Sequence, residues 1–277
     1  MPVDQQLIDE AAAGLGVVVQ SRLKEGGQKT VLLVERAGVE LVMKVISTGG
    51  TLPDALRRAK REVELLQSIN HPNVVKVASD LIELGSTPDG VAWLEQHLDG
   101  EDLGDALKNP WDWPQTKEMA VDLARGLGAL HAARVVHRDL SANNVRKLTA
   151  GGYVVMDPGY ARHTAKSQLT PGGQPGTPGF LSPEHIQTYS GVPTASSDVF
   201  CAGILMHLAL TGQLPIPYSG DLGDYSRRLA AVETDDVGAT RTDLAKRVIA
   251  LIRRCLHPQP ARRFRDGLKL TEALEAI

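Results

Sequence analysis

Aromatic side chains are scarce in this sequence. Three Trp, five Tyr and three Phe make up 4% of the 277 residues, so the core has to be built from aliphatic groups. Only two cysteines are present, Cys201 and Cys255, far apart and in no Cys-x-x-Cys pair. That excludes a disulfide framework and a zinc ribbon, and leaves two small buried thiols in a reducing compartment. Positive charge is not in excess. Thirty Lys+Arg against thirty-three Asp+Glu give a net charge of −3, which removes the electrostatic case for a nucleic-acid partner. Long apolar runs are missing too. The longest, Val199 to Met206, is interrupted by His207 and is too short to cross a bilayer. The start, Met1-Pro2-Val3-Asp4-Gln5-Gln6, has no basic patch followed by an apolar stretch, so no signal peptide is visible. A cytoplasmic protein with no membrane partner is the expectation. What is there, 42% hydrophobic and 23% charged residues, is ordinary globular usage, and the length allows one large domain or two small ones.

The first third reads as strands around one helix. Residues 30–34 and 40–45 are β-rich runs joined by Arg36-Ala37-Gly38, a hairpin signal. A helix is predicted from about Pro53 to Ile69, with Leu56, Ala59, Val63 and Leu66 on one face. After the apolar strand Val91-Ala92-Trp93-Leu94 the texture changes. Met119, Leu123, Leu127 and Leu130 mark an amphipathic helix, residues 199–210 are apolar nearly all round as in a buried central helix, and residues 244–255 carry another helical stripe. Strands first and helices afterwards predict an α+β chain in two lobes: 1–94, a linking segment at 95–98, and 99–277.

The chemistry concentrates after the first amphipathic helix. His137-Arg138-Asp139-Leu140-Ser141-Ala142-Asn143-Asn144 is followed, thirteen residues after Asn144, by Asp157 in Met156-Asp157-Pro158-Gly159. Asp139, Asn144 and Asp157 are the group types that phosphoryl transfer from a magnesium nucleotide requires. One carboxylate faces the acceptor hydroxyl, while an amide and a second carboxylate offer hard oxygen ligands to the metal.

This His-Arg-Asp-Leu-x-x-x-Asn and Asp-x-Gly pattern resembles the catalytic loop and metal-binding segment of the protein kinase superfamily, in a compact, divergent, bacterial or phage-like version of the eukaryotic-like Ser/Thr type. The resemblance runs in order from about residue 15 to about residue 265. It implies a bilobal fold, with an antiparallel β-sheet lobe bearing one helix and a mainly helical second lobe. It further implies that Lys44 grips the α- and β-phosphates and that Glu62, eighteen residues on, is its ion-pair partner. Gly26, Gly27 and Val31 correspond to the loop and strand that cover the nucleotide. Residues 157–184 correspond to an activation segment, closed by Thr177-Pro178-Gly179-Phe180-Leu181-Ser182-Pro183-Glu184. Asp198 and Gly203 match the start of the central helix, and Arg263, with Arg262 as an alternative, matches the partner of Glu184. By the same resemblance, adenine bonds the backbone near Glu95 and His97 with Leu94 guarding the back of the pocket, and Asp102 or Glu101 meets the ribose. Arg138 is placed to receive a phosphate on Thr164, Ser167 or Thr170.

Several positions depart from the family pattern. Lys29 stands where the last glycine of the phosphate loop is usual and Gln28 at its aromatic tip, so Gly26-Gly27 also reads as a plain hairpin turn. Ser141 replaces the lysine that serine/threonine kinases place two residues after the catalytic aspartate. Pro158 replaces the phenylalanine that stacks on His137. Arg146 sits where an apolar residue lies beneath adenine, and alternatively points to solvent. The function implied is a Mg-ATP-dependent protein kinase acting on protein Ser/Thr hydroxyls, with Thr177 favouring that acceptor. A pseudokinase that binds nucleotide or acts as a scaffold is the alternative, and a small-molecule kinase a further one. The kinase-like region leaves about fifteen residues before it and twelve after, so regulation is expected from a separate partner protein.

Overall fold

The computed structural model describes residues 3–25, 29–47, 60, 63–64, 66–85, 89–158, 177–186 and 193–277. Two compact units emerge. The first comprises residues 1–70, 75–98 and 160–166, and the second residues 71–74, 99–159 and 167–277.

The first unit is built on a five-stranded antiparallel sheet in the order β1-β2-β3-β5-β4. Its strands are β1 (Val18–Glu25), β2 (Lys29–Arg36), β3 (Val39–Ser47), β4 (Ile82–Leu84) and β5 (Gly90–Gln96). The β2–β3 hairpin closes through Ala37 and Gly38, both with positive φ (52° and 79°). This two-residue geometry matches the twist of the flanking strands. Strand alternation gives the sheet two different faces. Leu32, Val34, Leu41, Met43, Val45, Ala92 and Leu94 point to one of them and join a single apolar cluster.

That cluster is completed by a helix at the N-terminus, α1 (Gln5–Leu15). The Asp4 side chain caps its start by accepting from the Gln6 N–H, and Gly16 ends it in the left-handed region at φ 63°. Ile8, Ala11 and Leu15 form the buried stripe that lies on the sheet. This stripe covers the sheet face that Leu94 and Met43 would otherwise expose. Of the helix predicted over 53–69, residues 60, 63, 64, 66 and 67 are described and helical, with Val63 and Leu66 buried.

In the second unit, α2 (Trp113–Ala132) begins with a capping box in which Asp112 and Gln115 satisfy each other's backbone N–H groups. Its buried stripe includes Met119, Leu123, Leu127 and Leu130. The central helix α3 (Ala195–Thr211) is buried on nearly every side and stops at Gly212, φ 73°. Helices α4 (Lys246–Cys255) and α5 (Gly267–Glu275) pack around it. Glycine is needed where these helices approach closely. A Cβ on Gly203 would meet Cys255 Cβ at 2.8 Å, and one on Gly267 would lie 2.3 Å from the backbone of Gly128. A small sheet, β6 (Gly100–Asp102), β7 (Val145–Leu148) and β8 (Tyr153–Val155), carries the loops that follow α2. Asn73 ties that sheet in place, donating from Nδ2 to the Tyr153 carbonyl at 2.8 Å and accepting from the Val155 N–H at 2.9 Å.

Candidate active site

In the first unit, Lys44 projects from the sheet face opposite α1. Val31 on β2 and Trp93 on β5 are its direct cross-strand neighbours, so all three side chains emerge on the same side. The Lys44 ammonium is buried and ion-paired with the Glu95 carboxylate. The other Glu95 oxygen accepts from the indole N–H of Trp93 at 2.9 Å.

This arrangement corrects the expectation for residues 94–98. Glu95 lies inside β5, opposite Val42, and does not form part of a linking segment. Leu94, expected to guard a nucleotide pocket, packs on the α1 side of the sheet. Alternation by two residues puts Glu95, not Leu94, on the face of Lys44. His97 follows the strand, with its Nδ1 3.1 Å from Glu40. Glu62, Gly26, Gly27, Thr164, Ser167 and Thr170 lie outside the described residues.

In the second unit, the structure brings Asp139, Asn144 and Thr177 together. Asn144 Nδ2 donates both to the Asp139 carbonyl at 2.7 Å and to its Oδ2 at 3.0 Å. Thr177 Oγ1 donates to Asp139 Oδ1 at 2.8 Å. Both carboxylate oxygens are thus held by donors from separate parts of the chain. Because only an amide nitrogen can donate to these oxygens, the Asn144 amide has a defined orientation and its Oδ1 remains as an oxygen ligand. Asn144 also accepts the Met156 N–H at 2.8 Å, tying the loop to the segment that bears Asp157. Asp157 itself adopts φ 52°, a conformation that a non-glycine residue holds only when its surroundings impose it. Among the described residues no group of three His, Cys, Asp or Glu is placed to hold a metal ion. An amide and a carboxylate are nevertheless the kind of sparse oxygen set that magnesium accepts when a nucleotide supplies further ligands.

The loop is held from behind by Asp198. This fully buried carboxylate accepts the His137 N–H at 2.8 Å, the Arg138 N–H at 3.0 Å and the His131 ring at 2.9 Å. His131 Nδ1 accepts from the Gly267 N–H, so the proton sits on Nε2 and points at Asp198. Burial alone would raise the Asp198 carboxyl, but the His131 ring and the His137 N–H outweigh it and hold it below the usual carboxylate range. Arg138, at φ 63°, needs this double backbone grip. His137 is set by the same reasoning. Its Nδ1 accepts from the Asp139 N–H at 3.3 Å, which leaves Nε2 to donate to the Met156 carbonyl at 2.8 Å. With Pro158 in place of a stacking ring, two backbone hydrogen bonds orient this imidazole.

The close of the segment is anchored as deeply. Arg263, not Arg262, meets Glu184 through two parallel bonds of 2.9 and 2.8 Å. The remaining Arg263 donors go to the carbonyls of His257, Ser196 and Pro258, and the guanidinium lies over the Phe200 ring. All five N–H donors are used. Burial pushes the Glu184 carboxyl up, yet Arg263 and the hydroxyls of Ser197 and Ser182 bring it below its usual range. Next to it, His185 accepts the Ser182 N–H at Nδ1 (3.1 Å) and donates from Nε2 to the Arg138 carbonyl at 2.9 Å. It links the segment's close directly to the loop that carries Asp139. Burial keeps this ring below the usual histidine value.

Other expected site residues have more local surroundings. Arg146 stands opposite Asp102 in the β6–β7 ladder and donates to it at 2.9 Å. Ser141 is buried and its hydroxyl finds no hydrogen-bond partner among the described residues. His131, His185 and Ser197 were missed by sequence reasoning. His131 reads simply as a basic residue in the last turn of an amphipathic helix, which suits the helix dipole. Nothing local to His185 signals that its partner lies 47 residues away.

The model of the protein kinase domain family matches residues 18–275. The chain belongs to the protein kinase family. Serine/threonine-protein kinase pkn2 of Myxococcus xanthus is 30% identical to this kinase chain over 230 residues, 79% of this chain and 27% of pkn2. Serine/threonine-protein kinase PknA of Mycobacterium tuberculosis is 27% identical over 257 residues, 91% of this chain and 58% of PknA. The kinase chain thus spans between about a quarter and three fifths of these relatives. The crystal structure of the Mycobacterium tuberculosis PknI kinase domain superposes with a TM-score of 0.71 at 20% identity, covering 94% of this chain and 95% of that one, a likeness of fold. No helix among the described residues is long and apolar enough to cross a membrane.

Proposed function

We propose that this protein kinase is catalytically active, uses ATP with magnesium, and transfers the γ-phosphoryl group to serine or threonine hydroxyls of a protein substrate. The observation that carries this reading is the Thr177–Asp139–Asn144 arrangement, a carboxylate with both oxygens held in place and ready to receive a proton. In the transfer, the acceptor oxygen forms a bond to the γ-phosphorus while the bond to the bridging oxygen breaks and ADP leaves. Asp139 accepts the hydroxyl proton and passes it to solvent, so atoms and charge balance. Lys44 holds nucleotide phosphate oxygens. Asn144 through Oδ1 and Asp157 through its carboxylate are the residues that would hold magnesium, which supplies neutralisation of phosphate charge when bound. Serine/threonine kinases among the relatives, and a threonine hydroxyl on Asp139, support the choice of acceptor. Asp102 and the backbone near His97 are proposed to meet ribose and adenine, and Arg138 a phosphate on the activation segment. A separate regulatory protein is proposed to supply the trigger.

A pseudokinase is the second reading, favoured by a serine, Ser141, without a hydrogen-bond partner among the described residues where a cation would assist the developing charge. The test is to incubate the chain with labelled Mg-ATP alone, with a generic protein acceptor, and with small alcohols, beside D139A and D157A. Transfer to protein that disappears in both variants supports the proposal. Nucleotide binding without transfer supports the pseudokinase, and turnover of small alcohols alone supports a small-molecule kinase.

A further inference from the structure

The pairing of Lys44 with Glu95 goes beyond the roles considered so far. In the β3–β5 ladder Lys44 stands opposite Trp93, and Val42 opposite Glu95. Glu95 is therefore the diagonal neighbour of Lys44 on one face of the sheet. All three side chains are buried, with Lys44 4%, Glu95 2% and Trp93 1% exposed. Both carboxylate oxygens are engaged, one by the ammonium and the other by the indole N–H at 2.9 Å. A carboxylate placed in a sheet interior is costly unless it is paired and hydrogen-bonded, and an apolar residue of similar volume generally stabilises such a position as well or better. Fold stability thus gives no reason for a glutamate here. Its geometry does, because the indole fixes one carboxylate oxygen and the other meets the ammonium.

We propose that Glu95, braced by Trp93, is a positioning residue for Lys44, a carboxylate within the sheet itself that orients the lysine for nucleotide phosphate. This rests on the reading that Lys44 serves a nucleotide. An ammonium has three donors, so engagement by Glu95 is compatible with a phosphate oxygen on another. The pair belongs to adjacent strands in fixed register, so this contact forms with the sheet itself. Trp93 contributes by immobilising the carboxylate. It gives the second oxygen a partner that is a donor only and so cannot compete for the ammonium.

The test uses the whole chain and the variants E95Q and W93F, with thermal midpoints recorded for each. Gln keeps the shape and the oxygen facing the indole while removing the charge. The first readout is carbamylation of Lys44 by cyanate over a pH series, followed by mass spectrometry, with surface Lys60 as internal reference. Losing the carboxylate favours the neutral, reactive amine, so at neutral pH E95Q should raise Lys44 labelling about tenfold relative to Lys60, a shift of roughly one pH unit in the profile. W93F should move it in the same direction by less. The second readout is the dissociation constant for Mg-ATP, expected to weaken about tenfold in E95Q, the size of one charge-assisted hydrogen bond lost. Unchanged Lys44 labelling in E95Q would overturn the proposal, as would tighter or equal nucleotide binding in that variant. Should E95Q not fold, unchanged labelling in W93F does the same. Because labelling needs neither ATP nor turnover, its outcome stands apart from whether the chain is an active kinase. Altered labelling with no phosphoryl transfer sustains the positioning role while removing the proposed activity.

Discussion

Lys44 and Asp139 are both buried charged groups, yet they are held by different kinds of structure. Lys44 is met by side chains from an adjacent strand, whose register puts Trp93 and Glu95 beside it. Asp139 is set by a clamp drawn from residues far apart in the chain. Asn144 and Thr177 hold its oxygens, while Asp198, itself braced by His131, and His185 hold the backbone of the two residues before it. The first arrangement forms whenever the sheet does. The second requires the central helix, the end of α2 and the segment near residue 182 to be in place together. It follows that damage at a distance should disable the aspartate while sparing the lysine.

The largest effect is expected at Arg263. R263A leaves the buried Glu184 without its bidentate partner, and removing one member of such a pair typically costs about 3–5 kcal/mol. Urea titration should show that loss, together with collapse of transfer activity. Slightly smaller is L94A, which opens a cavity against α1 at about 2–4 kcal/mol. It should leave cyanate labelling of Lys44 unchanged, because Leu94 belongs to the other face of the strand. D198N comes next. Its amide cannot accept from all three donors that now converge on the carboxylate, and about 1–3 kcal/mol of stability should go with them. Transfer should slow while Mg-ATP binding to the variant changes little, which is the comparison between the two regions in its sharpest form.

The smallest effect is on pH dependence. His185 and His207 are held below their usual value, chiefly by burial, so the unfolded chain takes up their protons more readily. Stability must therefore fall as pH drops below the unfolded histidine value of about 6.5. Asp198 and Glu184, also held low, contribute stability that is intact above the unfolded carboxylate range near pH 4 and is lost as pH falls further. H185Q should shrink the upper step, with His207 still contributing to it, and leave the lower one in place. Denaturation midpoints measured from about pH 2 to about pH 7.5 report both.

How much of this was legible in the sequence follows the same division. Ordered motifs marked Asp139, Asn144, Asp157, Glu184, Asp198 and Arg263 together with the α+β architecture, because each is a fixed local pattern around a chemistry-bearing residue. The apolar stripes of α2 and α3 were legible from periodicity. Glu95 was misplaced because strand alternation has period two, and an error of one residue at the end of β5 exchanges the faces occupied by Leu94 and Glu95. Helix α1 went unread because its stripe of Ile8, Ala11 and Leu15 has meaning only against a sheet formed by later residues. His131 and His185 act through partners 67 and 47 residues distant, and no local spacing encodes those contacts.

The claim on which the rest depends is that Asp139 is a working proton acceptor and more than a polar group tied into a loop. The most direct measurement is the rate of phosphoryl transfer from labelled Mg-ATP to a protein acceptor, comparing the native chain with D139N. Thermal midpoint and Mg-ATP affinity are determined on the same preparations. The account predicts a loss of about 10²-fold or more in rate, with midpoint and affinity nearly unchanged. Equal transfer by the two proteins would contradict it.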